Sequence, residues 1–316
     1  MIKINVSEES KAKIRQLVWN DAITASTGIV NELKKDDVKA ILRKYEKLYI
    51  KLYDDSDDIN EEQVKKLLLS DRDGLKVFID EIGIIDNDEN DVLLKKVFRF
   101  DNFASRKVSY NVIKLLKTDV CPYCNRQYIV TISSGKVRAQ FDHYYPKDMY
   151  PYLALSVFNL VPCCSICNTS KSDLNTVNEP ILYPYEEEFG YEVNFSVRVN
   201  DRKENYVKVI QGLSDAFGVI IENHSIQNAD KVERQLKRLH LSELYNEHKL
   251  YIKDLYRNKY INTPERMAEI QRSFPDLFDS IEEIRGVLYL TDLNKQNWGK
   301  RPLAKLTYDI DKYDPE

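Results

Sequence analysis

The chain is poor in the residues that make tight turns, with only 9 Gly and 10 Pro among 316 residues. Glycine reaches backbone conformations that other residues avoid, so a chain with little of it has few tight turns. The composition, 43% hydrophobic and 31% charged, is typical of a helix-rich globular protein. The length is sufficient for one catalytic core with flanking elements or for two to three small domains.

Long apolar runs are also missing from the sequence. No stretch approaches the roughly 20 apolar residues needed to span a bilayer. The first residues, MIKINVSEESKAK, lack the apolar core of a secretory signal. We therefore expect a cytoplasmic protein without a membrane partner.

An overall excess of basic residues is absent as well, because the formal net charge is -4. This charge argues against a generic protein coat for nucleic acid, which is normally basic. The charge is unevenly distributed, however. Residues 101–175 contain nine Lys and Arg against five Asp and no Glu, a local net charge of +4. Long chains contain such windows by chance, so the motifs within this segment must decide its function.

Cysteine is confined to one part of the chain, where four of the five residues form two C-x-x-C pairs. The pairs are Cys121 with Cys124 and Cys164 with Cys167. In a reducing compartment, two such pairs predict one structural, tetrahedral four-cysteine zinc site per chain. Two unrelated redox or core pairs are the alternative. Cys163 is predicted to be a small buried apolar residue beside the site.

Hydrophobic spacing predicts a helical first third of the chain. One amphipathic helix is expected at residues 38–52, with Asp36 and Asp37 as capping candidates. Shorter helical patterns follow at residues 64–69, 75–82 and 105–116. We assign no chemistry to this region.

The hydrophobic period then changes to that of β-strands. Runs of β-branched and aromatic residues at 127–132 and 137–141 flank a Ser-Ser-Gly-Lys turn at 133–136, which predicts a hairpin. This hairpin would deliver Asp142 and His143 at its far end. Later strands are predicted at residues 193–199, 206–210 and 217–221, as a small antiparallel sheet. Residues 228–261 return to helical spacing.

Two segments, FDHYYPK at 141–147 and FNLVPCCSICNTSK at 158–171, carry the recognisable motif. They resemble the HNH (His-Me finger) nuclease family, whose pattern is Asp-His, then Asn-Leu, then C-x-x-C followed by Asn or His. The resemblance implies an α+β protein with a zinc-stapled ββα-metal HNH core at residues 119–178. A helical region at 1–118 and a region of small antiparallel sheet plus helices at 179–316 would flank this core.

The resemblance also implies a role for each motif residue. His143 would be the general base, and Asp142 would bind a catalytic divalent cation. Asn168 would open a helix and give its amide oxygen to the same ion, although a plain helix cap is the alternative. Asn159 would hold the loop and orient the His143 ring, unless it simply ends a loop. Because these are oxygen ligands, the ion would be magnesium or manganese.

Basic residues near this motif are candidates for contacts with the substrate. Arg126, Lys147 and Lys171 lie within the basic segment. The resemblance extends weakly to a C-terminal stretch, KRPLAKLTYDI, where further phosphate contacts could be made by Lys300, Arg301 and Lys305. Solvation of a helix surface is the commoner role for such charges.

Together these features predict a metal-dependent endonuclease that hydrolyses phosphodiester bonds, with DNA favoured over RNA as the substrate. Such nucleases often occur in bacterial anti-phage systems beside an ATPase, so the resemblance implies a defence role and an ATPase partner. Two alternatives remain open: a non-catalytic zinc-dependent nucleic-acid-binding module and an RNA-cleaving toxin-like nuclease. A zinc deaminase is excluded, because the required His-x-Glu is missing and no Glu occurs between Glu89 and Glu179.

Overall fold

The structure, a computed structural model, describes residues 1–85, 92–132 and 137–315. Contacts between residues divide the chain into two compact units. The N-terminal unit comprises Ile4–Thr118 and Ile129–Pro180, and the C-terminal unit comprises Met1–Lys3, Asp119–Tyr128 and Ile181–Glu316. The predicted α+β class is confirmed. The three regions assigned from the sequence stay a prediction.

Helices form most of the N-terminal unit. The first, Glu8–Thr24, begins at Ser7, whose side chain accepts a hydrogen bond from the Ser10 backbone N–H and so caps the helix. It buries Ile14 and Val18. The other helices before the first strand are Ile29–Leu33, Asp36–Leu42, Glu46–Leu52, Glu61–Leu69, Arg72–Ile82, Phe100–Ser105 and Lys107–Leu116, together with a π-helical turn at Leu93–Val97.

The single helix predicted at residues 38–52 is two helices in the structure, Asp36–Leu42 and Glu46–Leu52. The break lies at Tyr45, whose backbone (φ -114°, ψ 74°) leaves the helical region. Leu42, Leu48 and Leu52 are all buried, so both helices still present an apolar face to the core. Apolar spacing survives such a break and therefore does not reveal it.

Two short antiparallel strands form a pair, and the first of them contains Asp142 and His143. The first, β1, is Gln140–His143, and the second, β2, is Leu160–Cys163. Asp142 lies opposite Val161, and His143 lies opposite Leu160. The helix Ser165–Lys171 follows directly after β2. The chain order is therefore strand, strand, helix.

The hairpin predicted at residues 127–141 is wrong in its pairing. β1 pairs with β2, whereas the described part of the first run forms no strand with it. The two predicted runs still meet through hydrogen bonds from Ile132 N to Val137 O and from Ala139 N to Thr131 Oγ1. β2 is fully buried and offers β1 an apolar partner, whereas Tyr128 and Val130 are exposed. The turn predicted at residues 133–136 lies outside the described residues.

A second antiparallel pair forms the small sheet of the C-terminal unit. Its strands are β3, Val193–Val199, and β4, Phe217–Asn223, as the sequence predicts. The helices of this unit are Arg202–Ile210, Ala229–Arg238, Leu241–Asn246, Lys249–Ile261, Pro264–Ser273, Ile281–Leu288 and Ala304–Lys312. Throughout the described chain, no helix combines the length and the apolar character needed to cross a membrane.

The strand predicted at residues 206–210 is wrong, because this segment belongs to the helix Arg202–Ile210. Its β-branched residues suggested a strand, yet Val207 is exposed and only Val209 is fully buried. One apolar contact per two turns suits a surface helix better than a half-buried strand. The Arg202 guanidinium also lies 4.8 Å from the centre of the Tyr206 ring, as expected for residues four apart on one helix face.

Asn125 ties the first cysteine knuckle to the end of the C-terminal unit. It is fully buried and has a positive φ of 51°, a conformation that Asn tolerates better than most residues. Its Nδ2 donates to the Trp298 carbonyl at 2.8 Å, and its Oδ1 accepts from the Lys305 backbone N–H at 3.1 Å. The Leu303 backbone N–H donates to the Asn125 carbonyl. Its side chain and backbone thus satisfy three buried groups.

We expect Asn125→Ala to lower the free energy of unfolding by about 2–4 kcal/mol. The substitution leaves two buried polar groups without a hydrogen-bond partner and places Ala in a left-handed backbone conformation that it tolerates poorly. Chemical denaturation measures the change. The control is Asn205→Ala, which removes an exposed amide that donates to the Asn200 carbonyl at 2.9 Å. Equal loss of stability in the two variants would contradict this role for Asn125.

Candidate functional site

The first cysteine knuckle is a tight turn that directs its thiols inward. Cys121 and Cys124 are buried, and the Asn125 backbone N–H donates to the Cys121 carbonyl at 2.8 Å. The Arg126 backbone N–H points at the Cys124 sulfur at 3.4 Å. The Cys121 backbone N–H donates to the Gln127 carbonyl, which closes the turn. Backbone N–H groups aimed at sulfur favour the thiolate form, which is the form that binds a metal.

The second knuckle opens the helix Ser165–Lys171. The Cys164 side chain caps this helix by accepting from the Cys167 backbone N–H at 3.5 Å. The ligand atoms of all four pair-forming cysteines lie within 4.8 Å of one another, and all four residues are buried. Four clustered thiols are a soft ligand set that suits zinc. The predicted four-cysteine cluster is confirmed, and Cys163 is buried in β2 as expected.

His143 is the fourth residue of β1 and is buried, with only 8% of its surface exposed. Its Nε2 lies 3.0 Å from the Ala154 carbonyl. Because a carbonyl only accepts, Nε2 must carry the proton, so Nδ1 keeps its lone pair. Burial is the main cause that lowers the pKa of His143 to about 3. The Ala154 hydrogen bond opposes this shift, and the positive charges of Lys147 and Lys171 contribute to it. The ring is therefore neutral at physiological pH.

Asp142 is buried next to His143 and forms an ion pair with Lys171. The Lys171 Nζ donates to Asp142 Oδ1 at 3.1 Å and to the His143 carbonyl at 2.7 Å. Lys171 is fully buried, although the sequence analysis expected it to reach a substrate phosphate. The reason is the position of Lys171 at the end of its helix, where the chain packs against β1. A buried ammonium requires a carboxylate partner.

The two motif asparagines make contacts that differ in part from the expected ones. Asn159 holds the loop, since its amide donates to the carbonyls of Tyr145 and Leu153 and accepts from the Tyr145 backbone N–H. The His143 ring is oriented by the Ala154 carbonyl and not by Asn159. Asn168 lies inside its helix, which Cys164 caps, so Asn168 neither opens nor caps it. The Asn168 amide donates to Gln140 Oε1 at 3.0 Å.

The candidate substrate contacts fall in different environments. Lys147 is half-buried, and its Nζ lies 5.8 Å from the centre of the Phe100 ring. Arg126 belongs to the C-terminal unit, where its Nε donates to His248 Nε2 at 2.9 Å. This contact and burial keep the pKa of His248 below its usual value. Arg126 thus has a structural partner of its own.

Two of the three C-terminal candidates for phosphate contacts, Lys300 and Lys305, form ion pairs within the protein. Lys305 is fully buried and pairs with Asp309 at 2.6 Å, so it is not placed for a phosphate. Asp309 in turn accepts from the Phe195 backbone N–H of β3 at 2.8 Å. Lys300 is exposed and pairs with Asp119 at 3.3 Å, and Arg301 is exposed.

The two predicted oxygen ligands have protein partners in this structure, and the catalytic magnesium or manganese stays a prediction. Asp142 is buried, and a lysine ammonium already neutralises its carboxylate. The Asn168 amide is directed to Gln140. Across the described residues, the four cysteines are the one group of three or more His, Cys, Asp or Glu ligand atoms close enough to hold a metal.

Phe100 lies beside His143, although no pattern in the sequence indicates it. The Phe100 ring lies 4.6 Å from the His143 ring, edge to face at 70°. Arg99 precedes Phe100, at the start of the helix Phe100–Ser105. Phe100 belongs to no recognisable motif, so only the fold shows that it lies near His143.

Comparison with known proteins gives one distant similarity. The chain is 24% identical over 160 residues to the Septu protein PtuB of Bacillus thuringiensis. The aligned part covers 50% of this chain and 50% of that protein, so the match spans only half of the length of this relative. No protein-family profile matches the chain, and no solved structure matches it.

The cysteine cluster predicts that the purified protein holds one zinc ion per chain. We expect Cys164→Ser to lose zinc and to unfold at lower denaturant concentration, because the ion stabilises the folded state. Metal analysis and denaturation measure the two effects. The matched control is Cys163→Ser, which alters the neighbouring buried cysteine outside the cluster. Equal zinc loss in both variants, or zinc-free protein of unchanged stability, would contradict the site.

The buried ion pair predicts a second stability effect. Lys171→Met leaves the Asp142 charge buried and uncompensated, so the free energy of unfolding should fall by about 3–5 kcal/mol. The double variant Asp142→Asn with Lys171→Met should recover part of that loss. Lys76→Met is the control, because Lys76 pairs with Asp73 on an exposed surface, where such pairs contribute little. A single variant as stable as the double variant would refute the pairing.

Proposed function

We propose that this chain is a nuclease of the HNH kind that hydrolyses phosphodiester bonds in nucleic acid, with His143 as general base. The orientation of the His143 ring carries the proposal. The ring is neutral and held through Nε2 by Ala154, which leaves the Nδ1 lone pair available. A general base must be unprotonated at the working pH. Nδ1 would take a proton from water while the water oxygen bonds to phosphorus and the bond to the leaving oxygen breaks. The leaving oxygen would then take a proton from solvent and depart as an alcohol, and Nδ1 would return its proton to solvent.

The surroundings of His143 support this role. β1 and β2 followed by the helix Ser165–Lys171 provide the strand, strand and helix order that the resemblance implies. Lys171 fixes the end of β1 through Asp142 and through the His143 carbonyl. We infer that Lys171 and Asp142 act as positioning residues for the base. The resemblance implies a catalytic magnesium or manganese ion, so both metals are varied in the cleavage assay.

The distant relative supports a biological setting for this activity. Similarity to a Septu protein over half of the chain, together with the motif, suggests a role in anti-phage defence. We propose that the protein acts there with a partner protein, for which an ATPase is the expectation from the resemblance. DNA is the favoured substrate for the same reason.

A non-catalytic nucleic-acid-binding module is the second candidate, and one observation favours it. Asp142 and Lys171 neutralise each other in a buried pair, which removes the carboxylate that the resemblance assigns to a catalytic cation. A protein that only binds nucleic acid needs no such cation. Cleavage distinguishes the two candidates, because only the enzyme yields shortened strands.

The general-base role predicts the effect of His143→Ala. Cleavage of DNA and RNA oligonucleotides should fall about 10²- to 10⁴-fold, because the proton acceptor is gone, while zinc content stays unchanged. Gel analysis of labelled strands, with magnesium, manganese or neither, measures the rate. The control is His240→Ala, since His240 is exposed and pairs with Glu243 on the surface.

Two results would overturn parts of this proposal. Equal cleavage by the His143→Ala variant and the parent protein would remove His143 as the base. Tight binding without cleavage in every metal condition would favour the binding module. For the defence role, phage challenge of cells that carry the parent or the His143→Ala gene supplies the test, and equal protection by both would separate defence from catalysis.

A further inference from the structure

A cavity of about 350 Å³ lies in the N-terminal unit beside the helix Phe100–Ser105. Its walls include Arg99, Phe100 and Asn102 from this helix and its start, with Lys147 from the segment after β1. Lys95 adds a third positive charge, and the carboxylates of Asp101 and Asp148 also line the cavity. The lining therefore carries a net positive charge and one aromatic ring.

Phe100 connects this cavity to the candidate base. Its ring lies against the His143 ring at 4.6 Å, and the Lys147 Nζ lies 5.8 Å from the centre of the Phe100 ring. Lys147 also lies near enough to His143 to lower its pKa by charge repulsion. Only the Phe100 side chain would therefore separate a group bound in the cavity from the candidate base His143.

Arg99, which precedes Phe100 in the chain, is held in place by two side chains. Its Nη1 lies 3.7 Å from the buried Glu32 carboxylate. With the Asn102 amide turned to match its partners, Asn102 Oδ1 accepts from both Nε and Nη2 of Arg99 at 3.0 Å. A guanidinium oriented in this way loses little side-chain entropy when it binds an anion.

We propose that this cavity holds one nucleotide next to the scissile phosphate, and that the substrate strand is single-stranded there. The proposal rests on the proposed function and names its substrate class. The Phe100 ring supplies a face or edge for a base, and Arg99 and Lys147 supply charge for a phosphate. A nucleotide is the ligand class that carries both an aromatic base and an anionic group.

The nucleic-acid strand must be unpaired at the cavity, because only an unpaired base can enter it. In a duplex each base is stacked on its neighbours and paired, so it cannot also contact a protein aromatic ring inside a cavity. A single strand presents its bases, and contact with an aromatic side chain then contributes to affinity for any sequence. The cavity therefore favours single strands or a strand opened at the cut site, without a sequence preference.

The test measures binding separately from cleavage, in a His143→Gln background that removes the base and keeps most of its volume beside Phe100. The probes are fluorescein-labelled 12-nucleotide single strands and the matching duplexes, followed by anisotropy. Phe100→Leu should weaken single-strand binding about tenfold and leave duplex binding unchanged. Phe100→Tyr keeps an aromatic ring and should bind as the background does.

The charge contribution is tested by salt dependence in the same background. Lys147→Gln should reduce the slope of log affinity against log salt by about 0.7 for single strands, because one phosphate contact is lost. Lys96→Gln is the matched control, since Lys96 is an exposed neighbour that does not line the cavity. Unfolding midpoints confirm that every variant is folded.

The results separate this inference from the proposed function. Unchanged single-strand affinity in Phe100→Leu, or preferential binding of duplex, would overturn the nucleotide cavity. Normal single-strand binding together with no cleavage by the protein with His143 restored would overturn the nuclease and leave the cavity standing. Equal slopes for the Lys147 and Lys96 variants would remove Lys147 from the phosphate contact.

Discussion

The candidate site depends on one buried ion pair, between the Lys171 ammonium and the Asp142 carboxylate. Neither charge is stable alone in the interior, because desolvation penalises an isolated ion by several kcal/mol or more. The pair therefore requires the end of the helix Ser165–Lys171 and the strand β1 to meet. Since Lys171 also donates to the His143 carbonyl, this constraint fixes the backbone of the residue that we propose as base.

Local sequence signals predicted the parts of the fold that short segments determine. The spacing of each C-x-x-C pair predicts a tight turn, and the two pairs form the expected cluster. Alternation in residues 193–199 and 217–221 predicted β3 and β4, because one face of each strand meets the core. At 206–210 the same reasoning failed, since β-branched residues there lie on a mostly exposed helix. Burial, which local composition does not encode, decided that case.

The candidate site was predictable only where its residues follow one another in the motif. Asp142 and His143 are adjacent, so their common location needed no knowledge of the fold. The partner of the His143 ring is the Ala154 carbonyl, and any residue type could provide a carbonyl. Phe100 lies 43 positions before His143 in the numbering, within a segment that resembles no motif. Its contact with the base arises from tertiary packing, which spacing along the sequence does not describe.

Lys147 and Lys171 look alike in the sequence, but the fold places them in different environments. Both follow motif residues closely, and both read as surface cations. The structure buries Lys171 completely against a carboxylate, so its charge is compensated within the protein and serves the fold. Lys147 stays half-buried at a cavity wall beside an aromatic ring, where an anionic ligand can gain from its charge. The electrostatic potential in the cavity therefore depends on which charges are exposed more than on the number of basic residues. For this reason, an acidic protein can have a positively charged cavity next to its candidate base.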